Sequence, residues 1–386
     1  MKKLLFCAWG VFFLAILPGF AQKPSTQPTP PDDEPIKIST QEIKLNVMAQ
    51  NEFGHFDPSL VKDDLLIVED GLPQKVESLA RTPANVLFLL DTGEELNYAK
   101  NTFQTGITAE IILRSLQPDD YFSILQYNNK VETIIDWTNN PEEAAAALNS
   151  KLFAGKRSAL SAGINAAIEN LKSRPAANRH LVLITDGIES SAKGSERQKA
   201  FQKLLAADIT VHVLSYTMLE EQKAQKATQR LKLGDGKTKP RIREEVMDQI
   251  IAIIPDDPRK GKLKRFIKMS NEAQKLVIFQ IDSEWIKRVR QQRELWRTAE
   301  TELTNLTEET GGVFLAPEDI ESMLKYGREI AQAIDSHYVV TYTPKRSISE
   351  LPNKEMRQVR VVSRRVGLKV RSKQRIVIDT EVKATQ

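Results

Sequence analysis

Cysteine is almost absent from this chain: Cys7 is the only one in 386 residues. It lies inside the apolar run that opens the sequence, so once a leader is removed no disulfide framework or thiol chemistry remains. The fold must be carried by its core, which a chain of this length can build. Nucleophile motifs are missing too. Serines are plentiful, but no G-x-S-x-G elbow occurs. Gly234-Asp235-Gly236-Lys237 lacks both the P-loop spacing and a preceding strand, and reads as a turn. The four histidines, His55, His180, His212 and His337, have no metal-ligand spacing among themselves. They are read as core or surface residues. No internal repeat is visible.

Charge of one sign is also lacking overall, with 55 Lys+Arg against 51 Asp+Glu. The balance is uneven, however. Positions 221–300 hold 20 basic and 12 acidic residues. This segment is read as a solvated helical face or as a docking surface for an acidic surface or polymer. It has no aromatic arrangement of the kind that stacks single-stranded bases, so nucleic acid is not expected as a partner.

What is present begins with MKKLLFCAWGVFFLAILPGFAQ. A basic start, an apolar stretch from Leu4 to Leu17 and small residues at Gly19 and Ala21 predict a signal peptide over 1–21. The apolar run is short for a membrane span. Residues 22–35, rich in proline and polar residues, predict an extended linker. The protein is therefore expected to be exported, to the periplasm or beyond, with no transmembrane segment after cleavage.

Residues 36–82 alternate as strands, with Asp70-Gly71 as a turn. These strands need a partner sheet. NVLFLLD (85–91) and HLVLITD (180–186) are continuous apolar runs, each ending in an aspartate, and predict strands buried on both faces. Helical and strand-like patterns alternate around them through residues 83–216, which argues a doubly wound, mostly parallel α/β sheet. A basic helical insertion over 217–300 interrupts the alternation. It resumes over 301–336, where Gly311-Gly312 predicts a helix stop. Residues 337–386 are strand-like again and can supply the missing partner sheet. The expected architecture is an α/β domain inserted in a β-sandwich made from both chain ends. In such sheets the site lies at the carboxyl ends of the strands.

In VEDGLPQKVESL, NVLFLLDTGEE, HLVLITDGIES, LTEETGGVFLAPED and HYVVTYTP, taken in order, the chain resembles bacterial exported von Willebrand factor A domain proteins. The resemblance covers roughly residues 40–216 and 300–378. It implies a metal-ion-dependent adhesion site, where a D-x-S-x-S loop, a threonine and a later aspartate surround Mg²⁺ and a partner's carboxylate completes the shell. Carried over, Asp91 and Asp186 match the two aspartates. Ser158 stands for the threonine. Gly93 replaces the first serine and Glu95 the second.

Two readings of this degenerate site stay open. In one, Asp91, Glu95, Ser158 and Asp186 still hold Mg²⁺ in a more anionic site. In the other no metal binds; Glu94 and Glu95 occupy a helix's first turn, and Lys156 or Arg157 neutralises the cluster. Either way the resemblance implies a non-enzymatic protein for protein–protein recognition or adhesion. The alternative is a scaffold component that assembles through the basic insertion. A hydrolytic enzyme is disfavoured, since no nucleophile and base are paired in sequence.

Overall fold

The computed structural model describes residues 42–93, 102–190, 194–232, 271–346 and 354–379. The expected signal peptide, the linker, Glu94, Glu95 and the centre of the basic segment lie outside the described residues.

The central layer is a six-stranded sheet. Its strands are β5 (Asn85–Asp91), β6 (Tyr121–Tyr127), β7 (Val131–Thr138), β8 (Arg179–Thr185), β9 (Thr210–Ser215) and β10 (Phe314–Leu315), in the order β10-β9-β8-β5-β6-β7. All neighbours run parallel except β7, which returns antiparallel to β6 as an edge hairpin. Every residue of β5 is buried. Although the run is uniformly apolar, its side chains divide by parity, as a pleated strand requires. Val86, Phe88 and Leu90 enter one core with α1 (Thr102–Arg114), α2 (Pro141–Lys151) and α7 (Ile320–Asp335). Leu87 and Leu89 enter a second core with α3 (Leu160–Lys172), α4 (Gly194–Ala206) and the end of α6 (Asn271–Thr310). Pro141 opens α2, and the Asn140 side chain accepts from the N–H groups of Glu142 and Glu143, which satisfies donors a helix start leaves bare.

The predicted stop after α6 is real. Gly311 has φ +82°, and a Cβ on Gly312 would lie 1.8 Å from the Val211 carbonyl oxygen. Only glycine lets the chain turn out of α6 and lie against β9.

The remaining strands form two antiparallel four-stranded sheets. β1 (Ile43–Gln50) and β4 (Ser78–Ala80) flank β11 (His337–Tyr342), with β13 (Lys369–Ser372) outside β1. In the second sheet β2 (Leu65–Glu69) lies between β3 (Leu72–Gln74) and β12 (Lys354–Ser363), with β14 (Arg375–Asp379) beyond. Leu45, Val47, Ile67, Val340, Val359, Val361 and Ile378 share one core between them. Each sheet thus joins amino-terminal to carboxyl-terminal strands. Inside the sandwich the Arg357 guanidinium donates to Glu69 at 2.8 Å, with both residues buried.

The ends of the insertion are helical. α5 (Thr217–Lys232) follows β9 directly, and Ala224 packs with Val289 and Trp296 of α6 and with Ile188. Glu221 pairs with Arg293 at 2.8 Å. Leu295 is exposed, and the Trp285 side chain lies outside the described residues. Among the described residues no helix is long and apolar enough to cross a membrane.

Candidate functional site

Two strand ends meet at the carboxyl edge of the central sheet. β5 ends in Asp91 and β8 in Thr185, followed by Asp186; Asp91, Ser158 and Asp186 are all buried. The structure brings these three predicted residues to one edge.

Asp91 is the hub. Its Oδ1 accepts from the Gly93 N–H at 3.1 Å and from the Ser158 hydroxyl at 3.0 Å. Its Oδ2 accepts from the Thr185 hydroxyl at 2.9 Å. Because that proton goes to Asp91, the Tyr127 hydroxyl must donate to Thr185 Oγ1, 2.7 Å away. Thr185 Oγ1 also accepts the Gly187 N–H at 2.8 Å. Burial raises the Tyr127 pKa far above its usual value, and the charge of Asp91 adds to the effect. The phenol therefore stays protonated and able to donate.

A second set of bonds joins the neighbouring loops. The Ser190 side chain accepts from the Ser158 N–H at 2.7 Å, and the Ser190 N–H donates to the Ser158 carbonyl at 3.0 Å. Glu189 accepts from both the N–H and the hydroxyl of Ser161, each at 2.7 Å. Ala159, at the N-cap of α3, has no side-chain oxygen to offer. Glu189 supplies the missing acceptor, and its charge suits the positive end of the helix. Asp186 Oδ1 accepts from the Ile188 N–H at 2.9 Å. On the other flank Gly187 touches α6: a Cβ there would lie 2.8 Å from Leu303 and 3.0 Å from Ala299. The end of the basic insertion thus borders the loop that carries Asp186.

The geometry tests both metal readings. Gly93 offers no ligand, and the space a serine would need is filled, since a Cβ would lie 2.5 Å from the Arg157 carbonyl oxygen. Gly93 and Gly155 form a β-bridge that holds the loops at this distance. Both oxygens of Asp91 already accept protein hydrogen bonds. The described donor set is thus two carboxylates and one hydroxyl, with no room for the family's first serine ligand. Mg²⁺ keeps several waters beside one or two carboxylates, so Asp91, Ser158 and Asp186 would be its described ligands, without the family's first serine. For the second reading, Glu94 and Glu95 lie outside the described residues, and Lys156 and Arg157 are exposed. The N–H groups of Lys156 and Arg157 are held by Asn129 Oδ1 at 2.9 and 2.8 Å. Among the described residues, Asp91 accepts from two hydroxyls and one N–H group.

Residues 85–247 match the family model of the von Willebrand factor type A domain. The chain contains such a domain. The matched stretch holds β5 to β9, while β10, which completes the same sheet, lies beyond it. None of the curated proteins matches the chain. Among solved structures, the conserved hypothetical protein BatB from Bacteroides thetaiotaomicron is 18% identical over 34% of this chain and 66% of its own, with a TM-score of 0.28. An aerotolerance-related membrane protein from Bacteroides fragilis is 18% identical over 34% of this chain and 67% of its own, with a TM-score of 0.29. This chain thus spans about two thirds of the length of either protein. A von Willebrand factor type A protein from Catenulispora acidiphila is 9% identical over 91% of this chain and 78% of its own, with a TM-score of 0.41.

Sequence reasoning missed several residues. Tyr127 and Thr185 build the Asp91 network and Ser190 holds the Ser158 backbone, yet each reads as an ordinary strand or loop residue. The expectation of core or surface histidines holds, with His55 exposed and the other three buried, but their clustering left no signal in the sequence. His180, His212 and His337 are buried together, with one ligand atom from each lying within 4.8 Å of the others. They belong to the opposite, amino-terminal edge of the sheet. A hollow of about 380 Å³ between α4 and α6, lined by Arg197, Phe201, Leu205, Glu302 and Leu306, lies on the helical face.

Proposed function

We propose that this is an exported recognition protein whose von Willebrand factor A domain binds a protein partner through the carboxyl edge of its sheet, without a resident Mg²⁺. The observation that carries the reading is the Asp91 network. Three loops are fixed by hydrogen bonds converging on one buried carboxylate, which gives a surface of set shape. Preorganisation of this kind lowers the ordering cost of association.

The chemistry of catalysis finds little support. The Ser158 hydroxyl is bonded to Asp91 but buried, and the clustered histidines lie at the far edge. The accessible groups at the carboxyl edge include Lys156 and Arg157, so the partner surface is expected to carry acidic groups. The family's usual chemistry, in which a metal receives an acidic side chain, would here be replaced by direct ion pairing. The end of α6 lies beside Gly187, through Ala299 and Leu303, and borders the same surface.

The test is retention of envelope and culture-supernatant proteins from the source organism on the immobilised chain. It compares wild type, Lys156→Glu/Arg157→Glu and Asp186→Ala, each with EDTA and with Mg²⁺. A partner retained in EDTA and lost in the double charge reversal supports the reading. Equal retention by the charge-reversed variant removes the edge from consideration. Retention that requires Mg²⁺ and vanishes in Asp186→Ala restores the metal site, with Glu95 as the added ligand. Self-association lost on deleting 221–300, with no partner retained, favours a scaffold role.

A further inference from the structure

His180 and His212 begin on neighbouring parallel strands. The register pairs His180 with Thr210 and Val182 with His212, so both imidazoles stand on one face of the sheet, one step apart. His337 arrives from elsewhere, as the first residue of β11 directly after α7. The three are 0%, 0% and 3% exposed. They join the α/β sheet to the sandwich.

Their surroundings fix which nitrogens face inward. His337 Nδ1 lies 2.7 Å from the Ala333 carbonyl, which can only accept, so Nδ1 carries the proton and Nε2 the lone pair. Asn178 donates through Nδ2 to the Thr82 carbonyl at 2.6 Å, which fixes the orientation of its amide. Its Oδ1 therefore accepts from His180 Nε2 at 2.8 Å, leaving the lone pair of His180 on Nδ1. That Nδ1 is 3.1 Å from His212 Nε2. Two of the three rings are thus each held by an oxygen acceptor on the outer nitrogen, the arrangement that orients metal-ligating histidines. His212 turns Nε2 toward His180, and its Nδ1, on the outer side, is buried without a partner.

Three nitrogens bound to one ion at about 2.0–2.1 Å with tetrahedral angles lie about 3.3 Å apart, with their ring centroids about 5 Å apart. Here one nitrogen pair is at 3.1 Å, the three ligand atoms lie within 4.8 Å of one another so that the rings must draw in to share an ion, and the centroids are 5.3, 4.6 and 5.8 Å apart.

We propose that His180, His212 and His337 form a binding site for a divalent first-row transition ion, with Zn²⁺ as its reference occupant, that ties the central sheet to the sandwich. Neutral imidazoles suit zinc, copper, nickel and iron, and are poor ligands for Mg²⁺. The cluster has no carboxylate among the described residues, and Arg371 exerts a positive field on His212. The ion's charge then calls for an anionic fourth ligand, such as hydroxide or chloride. This site is independent of the carboxyl edge and of the function proposed for it.

The experiment uses the tag-free full chain, stripped with chelator and dialysed against Zn²⁺, with bound metal counted by elemental analysis and by native mass spectrometry. One zinc per chain is expected for wild type and for Asp186→Ala. His212→Gln and His337→Gln should weaken binding by at least about a hundredfold, since even loss of an outer partner costs ten- to a hundredfold. No stoichiometric zinc on the folded wild type overturns the proposal, as does zinc binding left unchanged by both glutamine variants. Should those variants fail to fold, wild type loaded with Co²⁺ decides. Intense visible bands of a four-coordinate site support the triad, and the weak bands of an octahedral oxygen site overturn it.

Discussion

Replacing Arg357 by methionine should destabilise the protein far more than an ordinary strand substitution. Arg357 on β12 is 0% exposed and donates to Glu69 on β2 at 2.8 Å, and also to the Arg346 carbonyl at 3.2 Å. Val359 is the register partner of Glu69, so Arg357 is its diagonal neighbour on the same face. Methionine keeps most of the stem but strands the Glu69 carboxylate in an apolar interior. Breaking one side of a buried pair costs about 3–5 kcal/mol, whereas replacing both sides by apolar groups is often neutral or better. Glu69→Leu should likewise cost about 3 kcal/mol or more, because the guanidinium keeps only part of its hydrogen bonding. The double variant, Glu69→Leu/Arg357→Met, should lie well above the sum of the singles. Urea unfolding followed by circular dichroism gives each midpoint and slope. A coupling below about 0.5 kcal/mol would refute the argument, for independent sites add to within that margin. It would mean that β2 and β12 do not share one sheet, and with them the two ends of the chain.

Gly93→Ser restores the residue that the family resemblance implies, yet it should destabilise by about 1–3 kcal/mol, because the added Cβ meets the Arg157 carbonyl at 2.5 Å. A melting scan with and without Mg²⁺ checks this, and a variant that gains stability in Mg²⁺ would show that the loop can open. Thr185→Val should cost about 1–3 kcal/mol by chemical denaturation, since the Gly187 N–H and Tyr127 hydroxyl lose their buried acceptor and Asp91 loses a donor; a loss below about 0.5 kcal/mol would contradict the network. In chelator, stability should fall as pH drops below about 6.5. Burial lowers the His337 pKa to about 4, so the unfolded chain binds its proton first; this group's stabilisation is present above pH 6.5 and lost as pH falls through 4, about 3 kcal/mol in all. His180 and His212 are lowered further and act in the same direction. Asp120, raised mainly by burial, acts in the opposite direction and gains stability as pH falls. Melting curves from pH 7.5 to 4 measure the net slope, and a flat profile would contradict the burial of the three imidazoles.

The central strands were readable because burial on both faces demands apolar residues at every position, and NVLFLLD and HLVLITD supply them. The Asp70-Gly71 turn was readable because both residues take positive φ, 46° and 82°, which that dipeptide tolerates. The sandwich followed from need, since unpartnered strands at each end must find one another. The histidine cluster had no such signal. His180 and His212 are 32 residues apart and meet through the register of parallel strands, while His337 is placed by the end of a helix. Parallel register is set by packing across the whole sheet and leaves no local spacing in the sequence. The loss of the serine ligand at Gly93 was plain in the sequence. That the Arg157 backbone fills its place was not, because it depends on a loop approaching from more than sixty residues away.

The interleaving of the two chain ends also imposes an order on assembly. β1 and β2 pair with β11 and β12 across almost the whole sequence, while every strand of the central sheet except β10 is made within one continuous stretch. Contacts that close such long loops form late. As the chain emerges amino-terminus first, β2 and β3 can pair only with each other, β1 and β4 wait for β11, and the open edges stay available for wrong pairing. The central domain can fold while they wait. A chain cut short before β11 would keep much of its α/β core and still expose β1, β4 and the outer edge of the β2–β3 pair, so the strands from β11 onward guard the amino-terminal strands against aggregation.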